Sequence, residues 1–564
     1  MSEIYGVFLP NNQTNYSIDV DSNKSKKLYQ GIIGENGNSG TDNFFISKDG
    51  LTFCFNGVIL DQNIKSNVDF FKEYQRSSID FIKNLKGNFS GFVVDELRQK
   101  IFIFNDHLST RNIFYFYDNR VGFVFSSKLA TISKLLRKVG VPISLNHDAV
   151  YMMSLYGFLL ENHTYINEVM KLPYSSIVTY DYINNEVNIE QHFKYTIEKL
   201  NVNIEEATKE INKLFLESVK ASWSKSPNSQ LLAFLSGGMD AKTNILVAKE
   251  LGYTNIRTIT FGASKSTDVK YAKQIAIKEN FDHFERTLDY PGYLIDDIME
   301  NYIKPIDGLM MFHSSAHASS TVRAMNLSKY SILHTGQLGD SLFGSFTKPK
   351  FDFKKNRGSI GYTGKVVDEL LLDKIEMLPE FLNKYQHFNY DLFNIEQRQI
   401  NATLYGDRAI NPLIDCLSPF MDIDLIIFCL SLPDNYKINQ AIYFEWLSKF
   451  HKNILEYPWE KIQMKPNKKY KINYGRFYKK YYNGAKKYFH LNYDSMNPYA
   501  VWIKKYPFIL NTLNRIFNEE IESSYINQEL REDLNQIFMQ DIFEYRNKFA
   551  VVTALLALKL HFKD

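Results

Sequence analysis

Apolar positions follow two different rules along this chain. Up to about residue 195 they come in short runs separated by turn-forming residues. Residues 92–95 and 101–104 flank a polar turn, and residues 113–117 and 122–125 flank Asp118-Asn119. Such pairs predict β-hairpins. Runs that are apolar on both faces predict sheets covered by another layer. Residues 79–85 read as the end of a helix closed by Gly87. Near residue 200 the period changes, and Ile204, Ala207, Ile211, Leu214, Phe215 and Val219 recur at helical spacing. After a strand at 231–235 come a Gly turn, a helix from about 242 to 251, a strand at 256–261, a helix from about 268 to 280 and a strand at 331–334. Strands alternating with helices imply βαβ units and a parallel sheet. The reading is therefore α+β followed by α/β, with domains at 1–195 and 205–564. Beyond about residue 370 the pattern is mainly helical. The apolar run 550–560 is about half of the roughly 20 residues that span a bilayer, so it predicts a core helix.

Bulk properties narrow this picture only a little. At 564 residues the chain is too long for one core, which agrees with two domains. A net charge of +3, from 66 basic and 63 acidic residues, gives no global sign of a nucleic-acid or membrane partner. The three cysteines, Cys54, Cys416 and Cys429, lack disulfide or metal-ligand patterning and fit a cytoplasmic setting. The first ten residues lack the basic and apolar segments of a signal peptide.

The clearest chemistry lies in Leu235-Ser236-Gly237-Gly238-Met239-Asp240, between a strand and a helix. Glycines let the backbone approach a ligand closely. Successive N–H groups then make an anion nest backed by the helix dipole. Ser236 adds a donor, and Asp240 offers hard oxygens to Mg²⁺ shared with phosphate. The alternative is a plain strand–helix turn with an Asp at the helix start. No G-x-x-x-x-G-K-[ST] loop is present. From Lys461 to Lys487 there are ten Lys or Arg, no acidic residue and many Tyr. This is either a surface for a polyanion or a solvated helix face. His313 and His317 are spaced i, i+4 but lack the Glu of a zinc motif, so packing or substrate contact is the reading.

The loop resembles the Ser-Gly-Gly-x-Asp-Ser loop of ATP-pyrophosphatases, and further segments are similar to asparagine synthetases. Phe261-Gly262, Thr267-Asp268 and His283 match the second βα unit. Gly336-Gln337-Leu338-Gly339-Asp340-Ser341-Leu342-Phe343-Gly344 matches Gly-Glu-Gly-x-Asp-Glu-Leu-Phe-Gly. Asp407-Arg408 and the stretch 415–422 continue the order. In the first half, residues 85–92, Asp95, Asp106, Thr110-Arg111, residues 145–149 and Lys171-Leu172-Pro173 follow the order of a glutaminase domain. The resemblance implies an Ntn-hydrolase-like layered β domain before an ATP-pyrophosphatase domain. It implies ATP and Mg²⁺, with nucleotide contacts at Leu235, Ser236, Gly237, Gly238, Thr243, Phe261, Gly262 and Gly336. Metal would sit on Asp240 and Asp340, and Gln337 would occupy a catalytic position. One lysine, Lys465 or Lys468, would stabilise phosphate charge. Asp307-Gly308 falls where a substrate-pocket entrance is expected.

The departures matter as much. The family's glutaminase starts Met-Cys-Gly-Ile, whereas this chain starts Met1-Ser2-Glu3-Ile4. Ser2 is a weaker nucleophile than a thiol. The glutamine pocket's Asn-Gly-Glu appears as Asn56-Gly57-Val58. Asn56 and Gly57 retain an oxyanion-hole pattern, but Val58 cannot pair with an ammonium. Ala241 replaces the loop's final Ser, with Thr243 near enough in sequence to compensate. Gln337 replaces a glutamate and cannot act as a base. The resulting expectation is an amide-forming ligase that adenylates a small-molecule, sugar or peptide carboxylate and does not hydrolyse glutamine. Alternatives are a nucleotide-binding scaffold, an asparagine synthase proper, and an RNA-thiolating pyrophosphatase, which the absent cysteine and zinc motifs disfavour. There is no strong nucleic-acid signal and no membrane span, and a homodimer is the assembly left open.

Overall fold

A computed structural model describes the chain except residues 1–2, 10–23, 29, 38–39, 62, 65, 226–229, 349, 364–368, 387–388, 489–494, 541–544 and 564, and the side chains of 480 and 482–488. The first half is built on two six-stranded antiparallel sheets. Its strands are β1 Glu3–Phe8, β2 Lys24–Leu28, β3 Gly31–Asn36, β4 Phe44–Lys48, β5 Leu51–Ile59, β6 Gly87–Asp95, β7 Lys100–Asn105, β8 Phe114–Asp118, β9 Gly122–Ser126, β10 Met170–Lys171, β11 Ser176–Asp181 and β12 Glu186–Gln191. One sheet runs β10-β8-β9-β1-β3-β2 and the other β12-β11-β7-β6-β5-β4.

The period of two explains the layering. Ile4 and Phe8 of β1 share a core with Phe92, Val94, Ile101 and Ile103 of the facing sheet. Tyr5 and Val7, one residue out of phase, pack outward beneath the helices Leu129–Lys138 and His147–Tyr156. On the far side, Val93, Phe102 and Phe104 pack against the helix Asn67–Ser77. The result is a helix–sheet–sheet–helix stack. Residues 79–85, read as a helix end, form the 3₁₀ turn Ser78–Asn84, and Gly87 starts β6 at φ 150°.

No strand or helix is assigned at 192–203, and the second half starts with the helix Ile204–Trp223, capped by Asn203. Its sheet is parallel, ordered β15-β14-β13-β16-β17, with β13 Leu231–Phe234, β14 Ile256–Gly262, β15 Asp282–Thr287, β16 Ile332–His334 and β17 Asp415–Leu417. Both faces are covered. Leu231 and Ala233 pack with Trp223 and Ile245, whereas Leu232 packs with Val322 and Ile410. The run 550–560 lies in the helix Tyr545–Phe562, which is buried against the first half's helix His147–Tyr156 and joins the two halves. Among the described residues no helix is long and apolar enough to cross a membrane.

Candidate active site

In the second sheet the chain leaves β13 toward β14 on one side and later returns to β16 on the other. The carboxyl ends of β13 and β16 therefore diverge, and open parallel sheets hold ligands at such switch points. A cavity of about 610 Å³ lies there, lined by Leu235, Ser236, Gly238 and Asp240 from the first loop and Gly336, Gln337 and Asp340 from the second. The helices His313–Arg323 and Tyr405–Ile410 supply the opposite wall through Ser314, His317, Gly406 and Asp407.

The first loop is arranged to receive an anion. Gly238 caps the helix Met239–Glu250 and has no side chain to bond its first-turn N–H groups. Those groups therefore lack the partner that caps usually supply. Ser236 Oγ accepts the Gly238 N–H at 3.1 Å, which folds the hydroxyl into the same nest. Gly237 faces the other way: its carbonyl accepts the Glu460 N–H at 3.2 Å, and its N–H bonds Asp268. A Cβ there would lie 3.1 Å from Glu460 Cβ and 3.3 Å from Asp268 Cα, so the loop is clamped from behind.

Asp240 and Asp340 meet in the cavity. The Asp340 N–H donates to Asp240 Oδ2 at 2.8 Å, and the Tyr443 hydroxyl donates to Asp240 Oδ1 at 2.9 Å. The approach depends on glycines: a Cβ on Gly339 would lie 2.6 Å from Asp240 Cγ, and one on Gly336 2.5 Å from the Ala241 nitrogen. Burial, then the neighbouring Asp340 charge, push the Asp240 carboxyl from 3.8 up to about 8. A divalent cation would relieve that repulsion, and Mg²⁺ is commonly held by one or two carboxylates plus phosphate oxygens. Asp240 and Asp340, both lining the cavity, are a donor set of that kind.

The two lysines singled out in the sequence, Lys465 and Lys468, both lie away from the cavity. Lys465 is on the surface, 3.4 Å from Glu456 Oε2, and Lys468 is exposed at the start of the following helix. Neither lines the cavity. Lys461, on the turn closed by the Trp459–Met464 bridge, points its ammonium at Asp340 Oδ2 from 4.0 Å. Thr243 is also displaced from its expected place. It is fully buried behind Asp240, 3.2 Å from the Tyr443 hydroxyl, and cannot replace the hydroxyl absent at Ala241. Phe261 lines the cavity, whereas Gly262 is covered by Met496, whose carbonyl accepts the Ala263 N–H at 2.9 Å. Leu338, where the resembling motif has Gly, takes φ 73°.

Gln337 reaches Asp407, a carboxyl missed as a catalytic candidate. Asp407 is buried, Thr335 also bonds it, and its Oδ2 has no hydrogen-bond partner. Burial raises it from 3.8 to about 7. His317 lines the cavity beside Phe261, with ring centroids 5.4 Å apart. His313 instead stacks on Phe549 at 4.4 Å. Asp307 is not at this cavity: its Oδ1 accepts the Ala130 N–H at 3.1 Å, at the seam between the halves.

Residues expected around the first half's pocket make contacts at that seam. Ser2 lies outside the described residues. Gly57, expected in the oxyanion hole, donates its N–H to Asn43 Oδ1 at 2.7 Å. Val58 packs on Ile332 and Leu417 of the second sheet. The adjacent loop is pinned by Thr41, whose N–H and hydroxyl bond Asp415 Oδ2 at 2.6 and 2.7 Å, and Arg111 pairs with the same carboxylate. Asn56 lines a cavity of about 60 Å³ with Arg111, Lys128 and Arg408.

Residues 64–193 match the glutamine amidotransferase domain, and residues 210–398 match asparagine synthase. A Methanocaldococcus jannaschii protein with the provisional name glutamine-hydrolysing asparagine synthetase 2 is 23% identical over 286 residues, 49% of this chain and 52% of that protein. The chain thus spans about half the length of this curated relative. Two solved structures overlap it slightly. They are a Bacillus subtilis glutamine phosphoribosylpyrophosphate amidotransferase with ADP and GMP (11% identity, 41% of this chain and 61% of that one, TM-score 0.20) and an allosteric regulatory enzyme of purine biosynthesis (9%, 51% and 73%, TM-score 0.22). By its two matched domains, the chain belongs to the asparagine synthetase family, with an N-terminal glutamine amidotransferase-like domain.

Proposed function

We propose that the protein is an ATP-dependent ligase that adenylates a carboxylate and passes it to ammonia or an amine, releasing AMP and pyrophosphate, without hydrolysing glutamine. The observation that carries this reading is the meeting of Asp240 and Asp340 beside an uncapped helix N-terminus in one cavity. Ser236 and the helix amides would receive the pyrophosphate oxygens. Asp240 and Asp340 would hold Mg²⁺, which when bound supplies neutralisation of phosphate charge. Lys461 would balance charge developing on the leaving group. Asp407, with one oxygen unpartnered and a value of about 7, would accept the proton of the attacking nitrogen, a task Gln337 cannot perform.

The absence of glutamine hydrolysis is argued from Gly57, whose N–H is already spent on Asn43, and from Val58, which serves inter-domain packing. Ammonia must then come from solution or another protein, or the amine must belong to the substrate. The test supplies Mg-ATP, ammonium and a panel of carboxylates, and follows AMP, pyrophosphate and glutamate. AMP and pyrophosphate formed together with ammonium, with no glutamate from added glutamine, is the expected result. Glutamate released in step with AMP would refute the non-hydrolysing part. Ala241 and Gln337 favour a nucleotide-binding scaffold as a second reading, for which Mg-ATP binds and no carboxylate yields AMP.

A further inference from the structure

The basic, tyrosine-rich stretch falls on the helix Lys469–Tyr488, whose two faces have different tasks. The inner face is packed on the turn behind the phosphate loop. Ile472 is buried, a Cβ on Gly475 would lie 2.6 Å from Ile462 Cβ, and Arg476 lies over Trp459. Lys479 donates to the Glu460 carbonyl at 2.7 Å.

On the outer face, Tyr470, Tyr474, Phe477, Tyr478 and Tyr481 are each 48–64% exposed. At 100° per residue these five positions fall within an arc of about 100°, opposite the buried face. At the same spacing Lys471 lies about 20° beyond one edge of the arc and Lys469 about 80° beyond the other, and no acidic residue occurs between Lys461 and Lys487. Exposed apolar crests of this size mark interaction surfaces.

We propose that this crest docks the protein on an anionic membrane surface. Tyr and Phe at the headgroup level with lysines beside them is the pattern of helices that lie in a bilayer interface. Lysines near an anionic leaflet add electrostatic attraction. The crest is convex rather than a groove. Its rings also stack on one another, Tyr474 on Tyr478 at 6.3 Å and Phe477 with Tyr481 at 4.6 Å. This self-pairing disfavours the single-stranded nucleic acid that open aromatic platforms in a groove would bind. Because the opposite face supports Glu460, which bonds Gly237, the bound surface would lie on the outer side of the element behind the phosphate loop.

The test is flotation of the full chain with phosphatidylcholine vesicles, with and without phosphatidylglycerol. The proposal expects flotation only with phosphatidylglycerol, released by raised salt. Combined Tyr474→Ser, Phe477→Ser and Tyr481→Ser should weaken binding at least tenfold without lowering the melting temperature. Lys469→Gln and Lys471→Gln should weaken it roughly fivefold each. Equal flotation with neutral vesicles, undiminished binding by the triple variant, or no flotation would overturn the proposal. So would tight RNA binding lost in the triple variant while vesicles fail to compete, or self-association through this face that excludes vesicles. None of these outcomes depends on the ligase reading.

Discussion

Gly336 and Gly339 determine whether Asp240 and Asp340 can meet. A methyl group on Gly339 would fall 2.6 Å from the Asp240 carboxylate carbon. Gly339→Ala is expected to weaken Mg-ATP binding at least tenfold, about 1.4 kcal/mol, with the fold retained by circular dichroism. Unchanged affinity would mean the carboxylate is free to move. Asp407 tests chemistry rather than binding: Asp407→Asn should lower amide formation by roughly 10²–10⁴-fold while calorimetry still shows Mg-ATP binding. His334 tests stability. It stacks on Trp223 with centroids 3.9 Å apart, neither ring nitrogen has a partner, and burial lowers it from 6.5 to about 3. A neutral buried histidine contributes stability that is present above 6.5 and lost as pH falls toward the folded value. His334→Phe should therefore flatten the acid limb of a stability–pH curve read by tryptophan fluorescence. An unchanged limb would assign it to other groups, such as His313 and His317, which are lowered in the same direction to about 3 and about 4.

At the scale of elements, the strand–loop–helix that carries Ser236, Gly237 and Gly238 was legible from a glycine pair between an apolar strand and a helical pattern. The parallel sheet was legible from alternation of period. Which lysine comes near Asp340 was not legible, because Lys461, Lys465 and Lys468 are chemically equivalent in sequence. Only the Trp459–Met464 turn, with Gln463 at φ 56°, aims one of them at Asp340. Lys461→Ala should slow adenylation by about 10²–10³-fold, as loss of a charge-stabilising donor does, whereas Lys465→Ala should leave it within about twofold because its salt bridge is solvent-exposed. Equal effects would return Lys465 to the site. Thr243 misled for a related reason: two residues after Ala241 it falls about 200° around the helix, on the buried side near the Tyr443 hydroxyl.

At the scale of the whole molecule, Val58 stood out in sequence as a departure from the resembling motif, but its packing across the seam between the halves was not visible there. That seam needs contacts across more than 270 residues, such as Val58 with Ile332 and Leu417, and Thr41 and Arg111 with Asp415. Asp415→Ala would leave the Arg111 guanidinium uncompensated in this seam and should cost roughly 3–5 kcal/mol, with separate unfolding of the two halves by calorimetry. A single undisturbed transition would deny the seam that role. The central claim, that the second half holds a metal-dependent nucleotide site on Asp240 and Asp340, is tested most directly by calorimetric titration of ATP with and without Mg²⁺ into wild type, Asp240→Ala and Asp340→Ala. The account predicts Mg²⁺-dependent binding by wild type and its loss in both variants. Binding that is indifferent to Mg²⁺, or that survives both substitutions, would contradict it.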